Sequence, residues 1–264
     1  MPPARKRARR YDPVRLRTAV LAQFGHVREA VGGLTTEQLA LPTRLGDWTV
    51  RELAAHIAQT FGAVAGALDL PEPARADVTL LDRPLPTAEW AGAVGGGTGT
   101  AVAASEDLPA LYARTAGEVE SALAGVSGER LVQTGAGAVR LADHLVTRAV
   151  ELVVHTDDLA DATGLDLPYD RQALAACVRL LADALAAKAP GGSVELRIPP
   201  YAVVQCVEGP RHTRGTPPNV VETDPLTWVR LATGREDWAA AREAARVSAS
   251  GERSDLSALL PVTA

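Results

Sequence analysis

Two histidines and a glutamate are the residues of this chain best suited to chemistry. Glu151 and His155 stand four apart in the run RAVELVVHTDD, so a helix places both side chains on one face. His56, in ELAAHIAQ, lies at the border of an apolar stripe made by Leu53, Ile57, Phe61, Val64 and Leu68. A His–Glu–His set can hold zinc or a similar divalent ion and leave a fourth position for water or a substrate. The competing reading is a structural polar network, because i, i+4 polar pairs are common on helices. What favours chemistry is the surrounding helix. His144, Arg148, Glu151, His155 and Asp158 fall within a stripe of about 80° on a helical wheel, and Leu145, Val146, Val150, Leu152, Val153, Val154 and Leu159 take the other directions. A helix apolar nearly all round is buried, so its one polar stripe faces an internal site or an internal ion-pair network.

The neighbours have two readings each. Asp158 either orients a ligand imidazole or accepts a proton. Arg148 either pairs with Glu151 or holds an anionic cosubstrate. His144 reads as a satisfied core or supporting histidine, His26 as a helix-surface residue, and His212 falls in a loop. Cys177 sits in an apolar helix pattern and Cys206 in a strand pattern, so both read as small core residues. Any thiol the chemistry needs must then come from a cosubstrate.

Two helices have to carry the histidines. Thr49-Val50-Arg51-Glu52 is a capping box, and the helix it starts runs to about residue 68. The second helix spans about 141–163 and closes on Gly164. Asp12-Pro13 opens a further helix to about residue 31. Helical pattern returns at 35–41, 87–94 and 108–126, around a proline-rich loop at 69–86. The run GGGTGT at 95–100 has no strand before it and lacks a following Gly-Lys-Ser/Thr, which excludes a phosphate-binding loop. An all-helical part to about residue 165 is therefore expected. A smaller α/β part follows, with a helix at 170–188, strands at 193–198, 201–207, 219–222 and 246–250, and helices at 224–233 and 255–260. Glycine–proline pairs at 209–210 and 215–218 mark turns.

Composition narrows the function classes. The chain has 264 residues, 47% of them hydrophobic, enough for two ordinary domains with substantial cores. A net charge of −5 gives no general attraction to nucleic acid or to an anionic membrane. Two cysteines without a CxxC pair exclude a disulfide scaffold and a cysteine-based metal site. No stretch is apolar and long enough to span a bilayer. The basic run RKRARR at 5–10 has no apolar segment after it, so it is not a secretory signal. It reads as a disordered leader over residues 1–11, and a cytoplasmic location is expected.

The segments GDWTVRELAAHIAQ and LADHLVTRAVELVVHTDDLADATG resemble the two hallmark segments of the mycothiol-dependent maleylpyruvate isomerase family, within the wider DinB-like superfamily. The resemblance covers roughly residues 12–164. It implies a four-helix bundle that holds a divalent metal, usually zinc, through His56, Glu151 and His155. Asp158 falls on the family's acidic residue one turn after the second histidine. The segments VELRIPPYAVVQCVEGPRHTRGTPPNVVETDPLTWVRLATGR and RVSASGERSDLSALLP are similar to bacterial sterol-carrier-protein-like domains, and closer to that branch than to the isomerase's own tail. In the isomerase an arginine of the C-terminal domain helps hold the substrate. Arg235 is the matching candidate here, with Arg211 and Arg214 as alternatives.

The resemblance thus implies a DinB-like four-helix bundle at 12–165 followed by an α+β sterol-carrier-like domain at 170–264. The implied activity is a metal-dependent isomerisation or thiol transfer on a small electrophile, with mycothiol as the thiol. Arg148 would contact that cosubstrate, and Asp158 and Arg235 would manage protons and a substrate carboxylate. A carrier of an apolar small molecule, with a structural or vestigial metal site, is the alternative from a different class.

Overall fold

The computed structural model describes residues 9–82, 104–210 and 217–262. The helix expected at 87–94, the glycine-rich run 95–100, Arg211, His212, Arg214 and most of the basic leader lie outside the described residues. Within them, four long helices form a bundle: α1 (Pro13–Gly32), α3 (Val50–Asp69), α4 (Leu108–Leu123) and α5 (Leu141–Thr163), with a four-residue α2 (Thr36–Leu39) before α3. Local chemistry sets the starts of α1 and α3. Asp12 caps α1 by accepting from Val14 N and Arg15 N, ahead of Pro13. The Thr49–Glu52 capping box opens α3, satisfying two otherwise orphaned amides. Gly164, at φ 69°, closes α5 in the left-handed region, where a side chain would be strained.

The bundle packs α3 against α4 and α5, and α1 against α4 and α5. Helix α5 is buried from Leu141 to Leu159 except at Arg148, the all-round burial its composition requires. Its polar residues therefore have to find partners inside the protein.

One correction applies to the all-helical expectation. Between α4 and α5 lies an antiparallel hairpin, β1 (Leu131–Thr134) and β2 (Gly137–Arg140), in the register Leu131↔Arg140 to Thr134↔Gly137. The two-residue turn Gly135-Ala136 joins strands too short to show an alternating pattern, and the buried Val132↔Val139 pair holds them. Helix α4 also ends at Leu123, before Gly125 at φ 70°.

Helix α6 (Arg171–Lys188), capped by Asp170, follows the bundle and packs on α1 and α5. Beyond it come β3 (Val194–Ile198), β4 (Ala202–Cys206), β5 (Val220–Thr223), α7 (Pro225–Ala232), α8 (Trp238–Glu243) and β6 (Val247–Ser250). The sheet order is β4-β3-β5-β6, with β3 and β5 parallel and the other pairs antiparallel. Alternate residues Val194, Leu196 and Ile198 point inward, as the period of two dictates. Helix α6 covers the sheet at β4 and meets α7, where Trp228 Nε1 donates to Val178 O at 3.3 Å. Helix α8 was not visible as a pattern, since WAAARE has no apolar stripe; Asp237 caps it. The helix expected at 255–260 is a single 3-10 turn at Ser257–Leu259. The fold is thus a helical N-terminal region followed by a mixed α/β region.

Candidate metal centre

Helices α3 and α5 bring His56, Glu151 and His155 together. One donor atom from each lies within 4.8 Å of the others, and all three residues are buried. His155 Nε2 is 3.2 Å from Glu151 Oε2. The His56 and His155 rings meet edge to face at 5.2 Å between centroids. Trp48, just before α3, lies beside His56, with 4.9 Å between ring centroids.

The donor set fits a divalent cation. His56 Nε2 is buried without a hydrogen-bond partner, and Glu151 Oε2, despite its ionic contact with His155 Nε2, accepts no well-formed hydrogen bond. Leaving such atoms unsatisfied costs about 1–3 kcal/mol each, which a bound cation would offset. Burial, with the neighbouring His155 charge, pushes His56 down to about 4, so its imidazole is neutral and its lone pair is available. Burial alone would raise Glu151, but His155 and Arg148 beside it outweigh that and bring it down to about 2. It is a carboxylate. Burial would likewise lower His155, but Asp158 and Glu151 outweigh it and hold its pKa above the usual value. Two carboxylates thus compete for positive charge at this ring, one on each nitrogen.

Asp158 sets the ring's orientation. Its Oδ2 lies 2.9 Å from His155 Nδ1, which leaves Nε2 directed at Glu151 and His56. Burial would raise the Asp158 carboxyl, yet His155 and Arg235 keep it far below the ordinary carboxylate range. Arg235 donates to it from Nε at 2.7 Å and Nη2 at 2.8 Å, and Nη1 goes to Thr233 O. The Arg235 side chain has no exposed surface. It therefore stands behind Asp158, on the side of His155 away from the other two donors.

Arg148 lies on the opposite side. Its Nη2 is 3.6 Å from Glu151 Oε1, and its Nη1 donates to Thr60 O of α3 at 3.3 Å. It lines a tight crevice with Ile57, Thr60, Phe61, Glu151, Leu152 and His155. His144 is buried two turns earlier on α5 and is not in the donor set.

The structure adds residues that the spacing did not point to. Asp157 is buried and accepts from Arg230 Nε and Nη2 at 3.0 and 2.6 Å, from Arg44 Nη2 at 2.5 Å and from Tyr169 Oη at 3.4 Å. Arg44 also donates from Nε to Asp158 Oδ1 at 2.7 Å. Arg44, Tyr169 and Arg230, with the backbone of Arg235, border a cavity of about 530 Å³. The available signal was the Asp157-Asp158 doublet on an otherwise apolar helix, which demanded cations from elsewhere in the chain. Nothing local marks which arginines answer it.

Residues 20–160 match the family described as the mycothiol maleylpyruvate isomerase N-terminal domain, and residues 170–262 match the bacterial SCP ortholog family. Among solved structures, the chain is similar to a crystal structure of the mycothiol-dependent maleylpyruvate isomerase, at 18% identity and a TM-score of 0.59. It is also similar to the structure of a histidine-to-alanine mutant of that enzyme, at 16% identity and a TM-score of 0.60. Each likeness covers 91% of this chain and 93% of the other. No curated protein matches. Among the described residues, no helix is long and apolar enough to cross a membrane.

Proposed function

The chain belongs to the mycothiol maleylpyruvate isomerase N-terminal domain family, and from that premise we propose that it is a metal-dependent enzyme that uses a small-molecule thiol, mycothiol, on a small electrophile. The observation that carries the reading is the buried His56–Glu151–His155 triangle, with two donor atoms lacking well-formed hydrogen bonds. These three residues would hold the ion, with zinc the expected one. A bound divalent ion lowers the pKa of a coordinated thiol, so that it is a thiolate nucleophile near neutral pH.

The chain's own residues prepare that step. Binding a divalent ion would displace any proton from His155 Nε2, and two neutral imidazoles with one carboxylate would then leave the centre an excess positive charge that favours an anionic further ligand. Asp158 holds His155 in the tautomer that presents Nε2, and Arg235 keeps Asp158 ionised. Arg148, at the crevice beside Glu151, is placed to pair with an anionic group of the cosubstrate or substrate. Thiol addition to a conjugated carbonyl followed by rotation and elimination is an isomerisation. Retention of the thiol on the product is a transfer. Both suit a site whose donor set includes neither of the two buried cysteines.

The test is metal content by elemental mass spectrometry for wild type, His56→Ala and Glu151→Ala. Near-stoichiometric zinc in wild type, lost in both variants, followed by thiol-dependent turnover of an electrophile panel, is the expected result. Wild-type protein that takes up no metal on reconstitution would remove the basis of the reading.

The match of residues 170–262 to a bacterial SCP ortholog supports a second reading, a carrier of an apolar ligand. Lipid co-purifying in stoichiometric amount, with no thiol-dependent turnover, would favour it.

A further inference from the structure

We propose that Arg44 is a positioning residue that sets the spacing between His56 and His155, an inference that rests on the metal reading above. Two sets of contacts lead from it, one to each histidine.

The first set lies in the turn that delivers the chain into α3. Pro42 and Thr49 form an isolated antiparallel bridge. Inside it, Thr43 N and Thr43 Oγ1 donate to Trp48 O at 2.9 and 2.8 Å, and Leu45 is fully buried. This closed turn presents the Trp48 ring to His56, and Thr49 caps the helix that carries His56. Arg44 is part of the turn, so its backbone moves with the approach of His56.

The second set begins at its guanidinium, which reaches across to α5. There it divides between adjacent carboxylates, Nε on Asp158 and Nη2 on Asp157. Asp158 in turn holds His155 Nδ1. The donor triangle spans α3 and α5, so its size depends on what ties the entry of α3 to the end of α5 near His155. Arg44 makes that tie with two charge-assisted bonds whose forked geometry fixes direction as well as distance. Lysine would keep the charge but, as a single point donor on a flexible stem, could not fix both carboxylates in this geometry. Arg230 and Arg235 also pair with Asp157 and Asp158, so a change at Arg44 takes from neither carboxylate its sole cation.

The experiment compares wild type with Arg44→Lys, Arg44→Gln and, as a control, Arg114→Gln, which removes an exposed ion pair between Arg114 on α4 and Glu106 just before that helix. Zinc affinity is measured by chelator competition, the visible absorption of the cobalt(II)-loaded protein is recorded, and imidazole nitrogen NMR is taken on metal-free protein. Arg44→Lys is expected to fold, to bind zinc about 10-fold more weakly, and to change the cobalt spectrum. It should also shift the ring signals of His155. Arg44→Gln should do the same or more, and Arg114→Gln should match wild type throughout. Reduced thermal stability in Arg44→Lys with unchanged zinc affinity, cobalt spectrum and ring signals would overturn the proposal, because a purely structural ion pair behaves so. Should wild type bind no metal, the metal reading falls and the ring signals decide the positioning role alone. Altered His155 signals in Arg44→Lys would sustain it, and unaltered ones would end it.

Discussion

At the scale of single residues, the site depends on charges that have been taken out of water and given fixed partners. Asp158 is the extreme case, fully buried and bonded to His155, Arg44 and Arg235. Asp158→Asn keeps the shape but leaves the buried Arg235 without its counter-charge. Removing one partner of such a pair costs about 3–5 kcal/mol, and we expect a loss of that order in the urea unfolding free energy. A loss below about 1 kcal/mol would mean that Arg235 finds water in the variant. Tyr112 of α4, bonded to the backbone of α3, offers a pH test. It is fully buried, donates to Ala54 O at 2.8 Å and stacks on Phe24 at 5.0 Å. Burial raises its pKa well above the ordinary phenol value. The folded protein therefore keeps a proton that the unfolded chain gives up above about pH 10. The contribution of Tyr112 is complete below that pH and is lost as pH rises toward its folded pKa, at about 1.4 kcal/mol per pH unit. Urea midpoints measured from pH 9 to 11 should fall less steeply for Tyr112→Phe than for wild type. Equal slopes would show that the phenol ionises in place.

At the scale of elements, the sequence was legible wherever a local rule decides the outcome. The capping box at Thr49–Glu52, the Asp12-Pro13 start and the Gly164 stop are chemistry between residues a few positions apart, and each lies where the pattern placed it. The buried helix with one polar stripe was legible for the same reason, and with it the triangle's residues. What was not legible depends on distant partners. Strands β1 and β2 are four residues each, stabilised by the Val132↔Val139 pair and by packing on α3 and α5. Arg44 and Arg230 are surface-type residues until α5 supplies Asp157 and Asp158. The caps matter to the site because they fix where α3 begins and so the depth at which His56 sits. Thr49→Ala removes the acceptor for Glu52 N and should cost about 1 kcal/mol in thermal or urea unfolding. Leu53→Ala, on the buried face one turn before His56, should cost about 2–5 kcal/mol. A Thr49→Ala protein as stable as wild type would show that tertiary packing alone fixes the helix start.

At the scale of the whole molecule, the question is whether the helical and α/β regions unfold as one body. A chain of 264 residues is long enough for separate transitions, and the family matches divide it near residue 165. The contacts argue for one. Helix α6 packs on α1 and α5 on one side and on β4 and α7 on the other. Gln23 of α1, fully buried, donates to Thr156 Oγ1 at 2.9 Å and accepts from Asp170 N, the cap of α6, at 2.7 Å. Arg230 and Arg235, from the α/β region, hold Asp157 and Asp158 on the helix of Glu151 and His155. Loss of the α/β region would thus uncover the apolar flank of α5 and leave Asp157 and Asp158 with Arg44 alone of their three arginines, which would weaken the site. The sharpest probe is a cavity in α6. Leu180 is buried on that helix, and Leu180→Ala should cost about 2–5 kcal/mol. If the molecule is one cooperative unit, that loss reaches both sides. Hydrogen exchange by mass spectrometry, at denaturant concentrations where global opening dominates, should then show equal loss of protection in peptides from α3 and from β5. Peptides of α3 that stay protected while those of β5 exchange would mean that the bundle stands alone, and that the arginines of the α/β region adjust the site without being needed to build it.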